Sequence, residues 1–162
     1  MKPTTRFFSF VSSVALLPAL LTVNGFAKTP TCSDVGGAIL TNVGGFGQID
    51  GHPTTMGVTT GDLKGAIGVE ILSTSSDSTT FTVQHYWVTG TGETLTIDKA
   101  QAQGTFVGPG LFAITDYKIH LTGGTGRFAN ATGDMTAIGE IDFNSGRVVL
   151  RYSGQVCHAG RD

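Results

Sequence analysis

Gly123-Gly124-Thr125-Gly126-Arg127-Phe128, carried on by Ala131 and Gly133, stands between two strand-like runs in a chain of 162 residues. Adjacent glycines admit positive φ and let two backbone segments come close, as a strand needs where it turns at a rim. Gly124 to Ala129 also spells a dinucleotide fingerprint ending in alanine. That reading requires a helix directly afterwards, with its N-terminus on a pyrophosphate. Thr132 to Phe143 reads as a strand instead. The stretch is therefore a turn, in which Phe128 plugs a barrel end and Arg127 pairs with a rim carboxylate.

Period-two patterns spread outward from this turn. Upstream, Leu111 to Leu121 puts Leu111, Ala113, Tyr117, Ile119 and Leu121 on one face, against Asp116, Lys118 and His120. Downstream, Met135 to Phe143 carries Glu140 and Asp142 on its polar side. Asn144-Ser145-Gly146 then closes a hairpin of the kind that ends in a left-handed glycine. Arg147 to Cys157 turns Val148, Leu150, Tyr152 and Val156 inward. Earlier in the chain, Gly36 to Val43 and Thr54 to Thr60 read as strands, joined by a glycine-rich connection. Lys64 to Leu72 sets Ile67, Val69 and Ile71 against Glu70. Phe81, Val83, His85 and Trp87 share an apolar face, and Thr94 to Ala102 follows the Gly90-Thr91-Gly92 turn. Seven or eight such segments without a helical pattern predict an all-β antiparallel barrel or sandwich.

The ends of the chain bound where it works. Lys2 and Arg6 precede an apolar run from Phe7 to Leu21, and Asn24-Gly25-Phe26-Ala27 offers small residues for cleavage after Ala27. The run falls short of the roughly 20 residues a membrane span needs. Residues 1–27 are read as a signal peptide and 28–162 as one β-barrel domain, secreted or periplasmic. Losing the leader takes the formal charge from −2 to −4. Mild acidity without a basic cluster argues against nucleic acid, and against a membrane surface once the leader is gone.

Cys32 and Cys157 are the two cysteines, and they bracket the domain. In an exported protein a disulfide is the simplest use of such a pair, and it would favour a closed barrel by joining the terminal strands. The competing use, a catalytic thiol, lacks a histidine or acid at a telling spacing.

With this pattern in place, Gly123, Gly124, Thr125, Gly126, Arg127, Phe128, Ala131 and Gly133 resemble the glycine run of plant dirigent proteins. These belong to the allene oxide cyclase barrel-like group, together with many bacterial secreted relatives. Gly92-Glu93-Thr94-Leu95-Thr96-Ile97 is similar to a hairpin strand of that group. Val149 to Cys157 resembles the tail of its small bacterial exported members. The resemblance covers Gly36 to Cys157 and implies a closed antiparallel barrel of about eight strands, allene oxide cyclase-like or calycin-like. It also admits an isomerase, a cyclase or a stereochemistry-directing role. The glycine turn is what aligns, so no catalytic residue is carried over.

Candidate chemistry rests on polar tips within apolar faces. His85, Trp87, Tyr117 and Tyr152 would converge in the lumen as an aromatic cup for a small apolar ligand. Two readings of them stay open, that cup or a solid core with each polar atom satisfied by a neighbour. Glu70, Asp116 and Glu140 fall on polar faces and read as solvated charge. His52, His85, His120 and His158 are scattered without metal-ligand spacing, so neither a metal nor a cofactor is expected. Asn130-Ala131-Thr132 is a glycosylation sequon. The protein is thus read as an exported, disulfide-stapled barrel, non-catalytic or ligand-holding. An enzyme acting on an apolar molecule is the alternative, and assembly with further copies through its strands is a third reading.

Overall fold

A computed structural model describes residues 29–43 and 48–159. The expected leader, 1–27, lies outside the described residues. Ten strands follow one another: β1 (Thr31–Asn42), β2 (Gln48–Ile49), β3 (His52–Thr59), β4 (Gly65–Thr74), β5 (Thr80–Thr89), β6 (Thr94–Ile97), β7 (Ala100–Gly108), β8 (Leu111–Gly124), β9 (Thr132–Asp142) and β10 (Arg147–His158). Apart from two single 3₁₀ turns, Gly61–Leu63 and Gly126–Phe128, the described residues hold no helix.

The strands close on themselves. Around the barrel run β1, β10, β9 and β8, then β6 and β7 sharing one position, then β5, β4 and β3. The circle shuts where β3 meets β1, in register from Ile39 opposite Thr59 to Asn42 opposite Met56. All pairings are antiparallel, and closure removes the edges that an open sheet would expose. Of the barrel and the sandwich that the period-two runs leave open, the closed barrel of eight positions is the fold. Cys32 and Cys157 face each other in the β1–β10 register and are bonded, and Gly146 closes the β9–β10 hairpin at φ 66°.

Two details differ from the alternation. The run expected over Thr94–Ala102 breaks at the exposed pair Asp98-Lys99, giving β6 and β7. β6 pairs with Trp87 and Val88 of β5, whereas β7 pairs with Thr80 to Val83. The side chain of Gln84 stands in the interval and donates from Nε2 to the carbonyl of Ile97 at 2.9 Å, replacing a ladder bond. In β8, Ile114 pairs with Gly104 but Asp116 pairs with Gln103, so Thr115 is an extra residue. This bulge reverses the face of everything before it. Ile114, 2% exposed, is inside with Tyr117, and Leu111 and Ala113, expected inside, lie on the outer face.

The interior has two levels. Near the disulfide, Leu63, Trp87, Phe128 and Tyr152 are each at most 2% exposed and fill the barrel. Toward the β9–β10 hairpin, Phe81 packs against Phe112 and Phe143, with ring centroids 6.2 and 6.3 Å apart. Phe106 continues this aromatic group to the surface through Phe112, 5.8 Å away.

Candidate functional site

The lumen above the packed level is not filled. A cavity of about 50 Å³ is bounded by Ile39, Val69, Ile71, Phe81, Val83, Ala102, Val148 and Leu150, and by the side chains of Thr41, Thr55, His85 and Tyr117. Val43, Ile141 and Phe143 complete its wall at the hairpin end, where Phe143 is 41% exposed. Among the described residues no Lys, Arg, Asp or Glu lines it. The volume suits a molecule of about three or four heavy atoms, below the ~150 Å³ of an apolar cavity that takes benzene and well below the ~300 Å³ or more of drug-sized sites.

The four aromatic candidates are all buried and all face inward, but they do not form one cup. Trp87 and Tyr152 meet edge to face at 5.4 Å and serve the floor. The turn at Gly61–Leu63 pushes Leu63 into the barrel end, and these side chains satisfy its backbone. Leu63 N–H donates to the Tyr152 hydroxyl at 3.0 Å, and Trp87 Nε1–H donates to the Leu63 carbonyl at 3.0 Å. Thr59 donates to the same carbonyl at 2.7 Å, and the Tyr152 hydroxyl donates to Thr60 O at 2.8 Å. Buried backbone groups need partners of this kind, and both the N–H and the carbonyl of Leu63 have them.

His85 and Tyr117 belong to the cavity. Their rings stack at 5.6 Å, and the Tyr117 hydroxyl lies 2.5 Å from His85 Nε2. Burial lowers the imidazole to a pKa of about 4 and raises the phenol well above its ordinary value. At neutral pH the pair is therefore an uncharged imidazole beside an uncharged phenol. Nδ1 of His85 and Oγ1 of Thr41 are buried with no partner among the described residues.

The glycine turn sits at the opposite end, beside the floor. Gly126 takes φ 58°, and a Cβ there would come within 2.8 Å of Glu93. Gly124 lies so close to β6 that a Cβ would fall 2.1 Å from the Thr94 carbonyl oxygen, whereas Gly123 has open space. Phe128 is buried, with the Arg127 guanidinium 4.8 Å over its ring. Arg127 Nε lies 3.1 Å from Glu93 Oε2, and the Arg127 N–H donates to Oε1 at 3.1 Å. The stretch is a structural clasp, away from the cavity.

Glu70 departs from the expected solvated surface. It points outward, yet it is only 4% exposed. The Tyr86 hydroxyl donates to Oε2 at 2.8 Å, which raises the Tyr86 pKa. His52 Nδ1 lies 2.9 Å from Oε1, out of line for a good hydrogen bond. Asp116 and Glu140 are exposed, as their faces suggest. No group of three metal-ligating side chains occurs among the described residues.

The contributions of Thr41, Thr55 and Leu63 escaped the sequence reading. Thr41 alternates with Ile39 and Val43 along β1, so its inward face was available from period two. Leu63 lies in a turn and carries no such signal.

No protein-family profile matches the chain, and no curated protein matches it either. Among solved structures, one pterocarpan synthase dirigent protein is similar at 16% identity and a TM-score of 0.39, over 91% of this chain and 100% of its own. A second pterocarpan synthase dirigent protein is similar at 12% identity and a TM-score of 0.36, over 84% of this chain and 99% of its own. The barrel itself rests on the strand pairing described above.

Proposed function

We propose that the protein is exported and that its stapled barrel holds a small apolar molecule in the lumen. The observation that carries this reading is the unfilled apolar space between the floor and Phe143. Protein interiors are close-packed, and an apolar void forfeits dispersion contacts that a guest would restore. The apolar leader and the disulfide support export, because such bonds persist in oxidising compartments. Xenon titration followed by methyl NMR tests the lumen. Shifts should concentrate on Val83, Ile71 and Leu150 and vanish in Ala102→Leu, which fills the space. Shifts scattered over the outer surface, or none, would sink the proposal.

A second reading, an isomerase or dirigent-like role on the same kind of molecule, is favoured by the Tyr117–His85 pair. A neutral imidazole held by a phenol in an apolar site can lend a hydrogen bond to a developing oxyanion. The resemblance of the glycine clasp to dirigent-like proteins supports the same reading. Incubating the protein with an extract of its source would show a component converted with time, and Tyr117→Phe should slow that conversion. An extract left unchanged would leave holding as the function.

A further inference from the structure

Two buried polar atoms without partners among the described residues, Nδ1 of His85 and Oγ1 of Thr41, belong to side chains of residues that line the same small cavity. Their residues are 3% and 4% exposed. Buried donors and acceptors are paired in the great majority of cases, and each exception asks for an explanation. Two exceptions around one void point to something that is meant to occupy it.

The protons can be placed by elimination. Among the described residues the Tyr117 hydroxyl has one partner, Nε2 of His85. If Nε2 carried the hydrogen, both the phenol hydrogen and the lone pair on Nδ1 would be left without partners, whereas the opposite direction leaves one group unpaired. With the phenol donating, Nε2 is the acceptor, and a neutral imidazole then carries its hydrogen on Nδ1. Nδ1–H is thus a donor without an acceptor, on a ring that lines the cavity. Tyr117 acts on this donor through the ring as a positioning residue, in the way that a partner on one imidazole nitrogen fixes the role of the other.

Charge narrows the guest further. Among the described residues no Lys, Arg, Asp or Glu lines the cavity. An ion moved there would lose its hydration with no counter-charge in return, which is prohibitive in an apolar site. Resting on the lumen-binding reading above, we propose that the guest is an uncharged, largely apolar molecule bearing one hydrogen-bond acceptor of the carbonyl type. His85 Nδ1–H binds the acceptor, and the Thr41 hydroxyl offers a second contact.

Acetone and isobutene share a shape and differ in C=O against C=CH₂, so they separate the polar contact from apolar burial. Both are titrated by methyl NMR into the wild type, His85→Phe and His85→Asn. The affinity of the ketone relative to the alkene should fall roughly tenfold in His85→Phe, about one hydrogen bond's worth. Part of that loss should return in His85→Asn, whose amide can donate. An unchanged ratio, with both probes still bound, overturns the carbonyl inference and leaves the lumen reading intact. Failure of both probes in the wild type removes the lumen reading and this inference with it. A ¹⁵N spectrum of the free wild-type protein gives a check that needs no variant. It should show His85 protonated on Nδ1, and protonation on Nε2 would overturn the proposal.

Discussion

The Tyr117 hydroxyl, carried on β8, meets Nε2 of His85, carried on β5, at 2.5 Å across the position shared by β6 and β7. Burial keeps this basic ring un-ionised deep in the barrel, which ties stability to pH. Burial lowers the folded-state pKa of His85 from 6.5 to about 4, so its contribution is complete above 6.5 and is lost as pH falls toward 4. By linkage the loss at pH 5 is about 2 kcal/mol, because the unfolded chain takes up a proton that the folded one refuses. Denaturant unfolding at pH 7 and pH 5 should show this loss in the wild type and lack it in His85→Phe. Taking the difference between the two proteins removes His120, which Asp134 shifts the other way. Equal pH dependence in both proteins would show that His85 is not buried neutral.

The staple joins residues 125 apart in sequence. Reduction, or Cys32→Ala with Cys157→Ala, should lower the unfolding free energy by about 4–5 kcal/mol in the chain-entropy account. Denaturant midpoints with and without reductant measure it. Unchanged midpoints, with reduction verified by mass, would refute a stabilising role.

Neighbouring glycines of the clasp should behave differently. Gly124→Ala forces a Cβ against the Thr94 carbonyl and should cost about 1–3 kcal/mol, as overpacking does. Gly123→Ala meets open space and should change stability by less than about 0.5 kcal/mol. Thermal melts of the two variants decide the matter, and equal losses would contradict the geometry.

Tyr152→Phe removes the acceptor for Leu63 N–H and the donor to Thr60 O, both within the floor. Leaving the buried Leu63 N–H without a partner should cost about 1–3 kcal/mol. Hydrogen exchange at the Leu63 amide should rise by more than at Val83, which lies on the cavity level. Uniform acceleration would mean that the floor does not hold as a unit.

Much of the barrel was legible because alternation encodes which face a side chain takes. His85, Trp87, Tyr117 and Tyr152 are all inward on that account. Alternation carries no information on height along the barrel axis, which strand stagger sets. The expected cup therefore resolves into a His85–Tyr117 wall and a Trp87–Tyr152 floor. The bulge at Thr115 has no local marker, neither a glycine nor a proline beside it, so the outward turn of Leu111 and Ala113 could not be read. Burial of Glu70 depends on His52 and Tyr86 arriving from two other strands. A one-dimensional pattern contains no such three-strand coincidence.

The floor built around Leu63 also governs traffic. With the described residues stoppering the barrel beside the disulfide, a guest of the kind proposed would come and go at the hairpin end, where Phe143 is part-exposed. A guest bearing its acceptor at one end would then enter that end first and back out tail first. Its residence time would then be set by how readily Phe143 and its neighbours swing aside, more than by the walls that hold it.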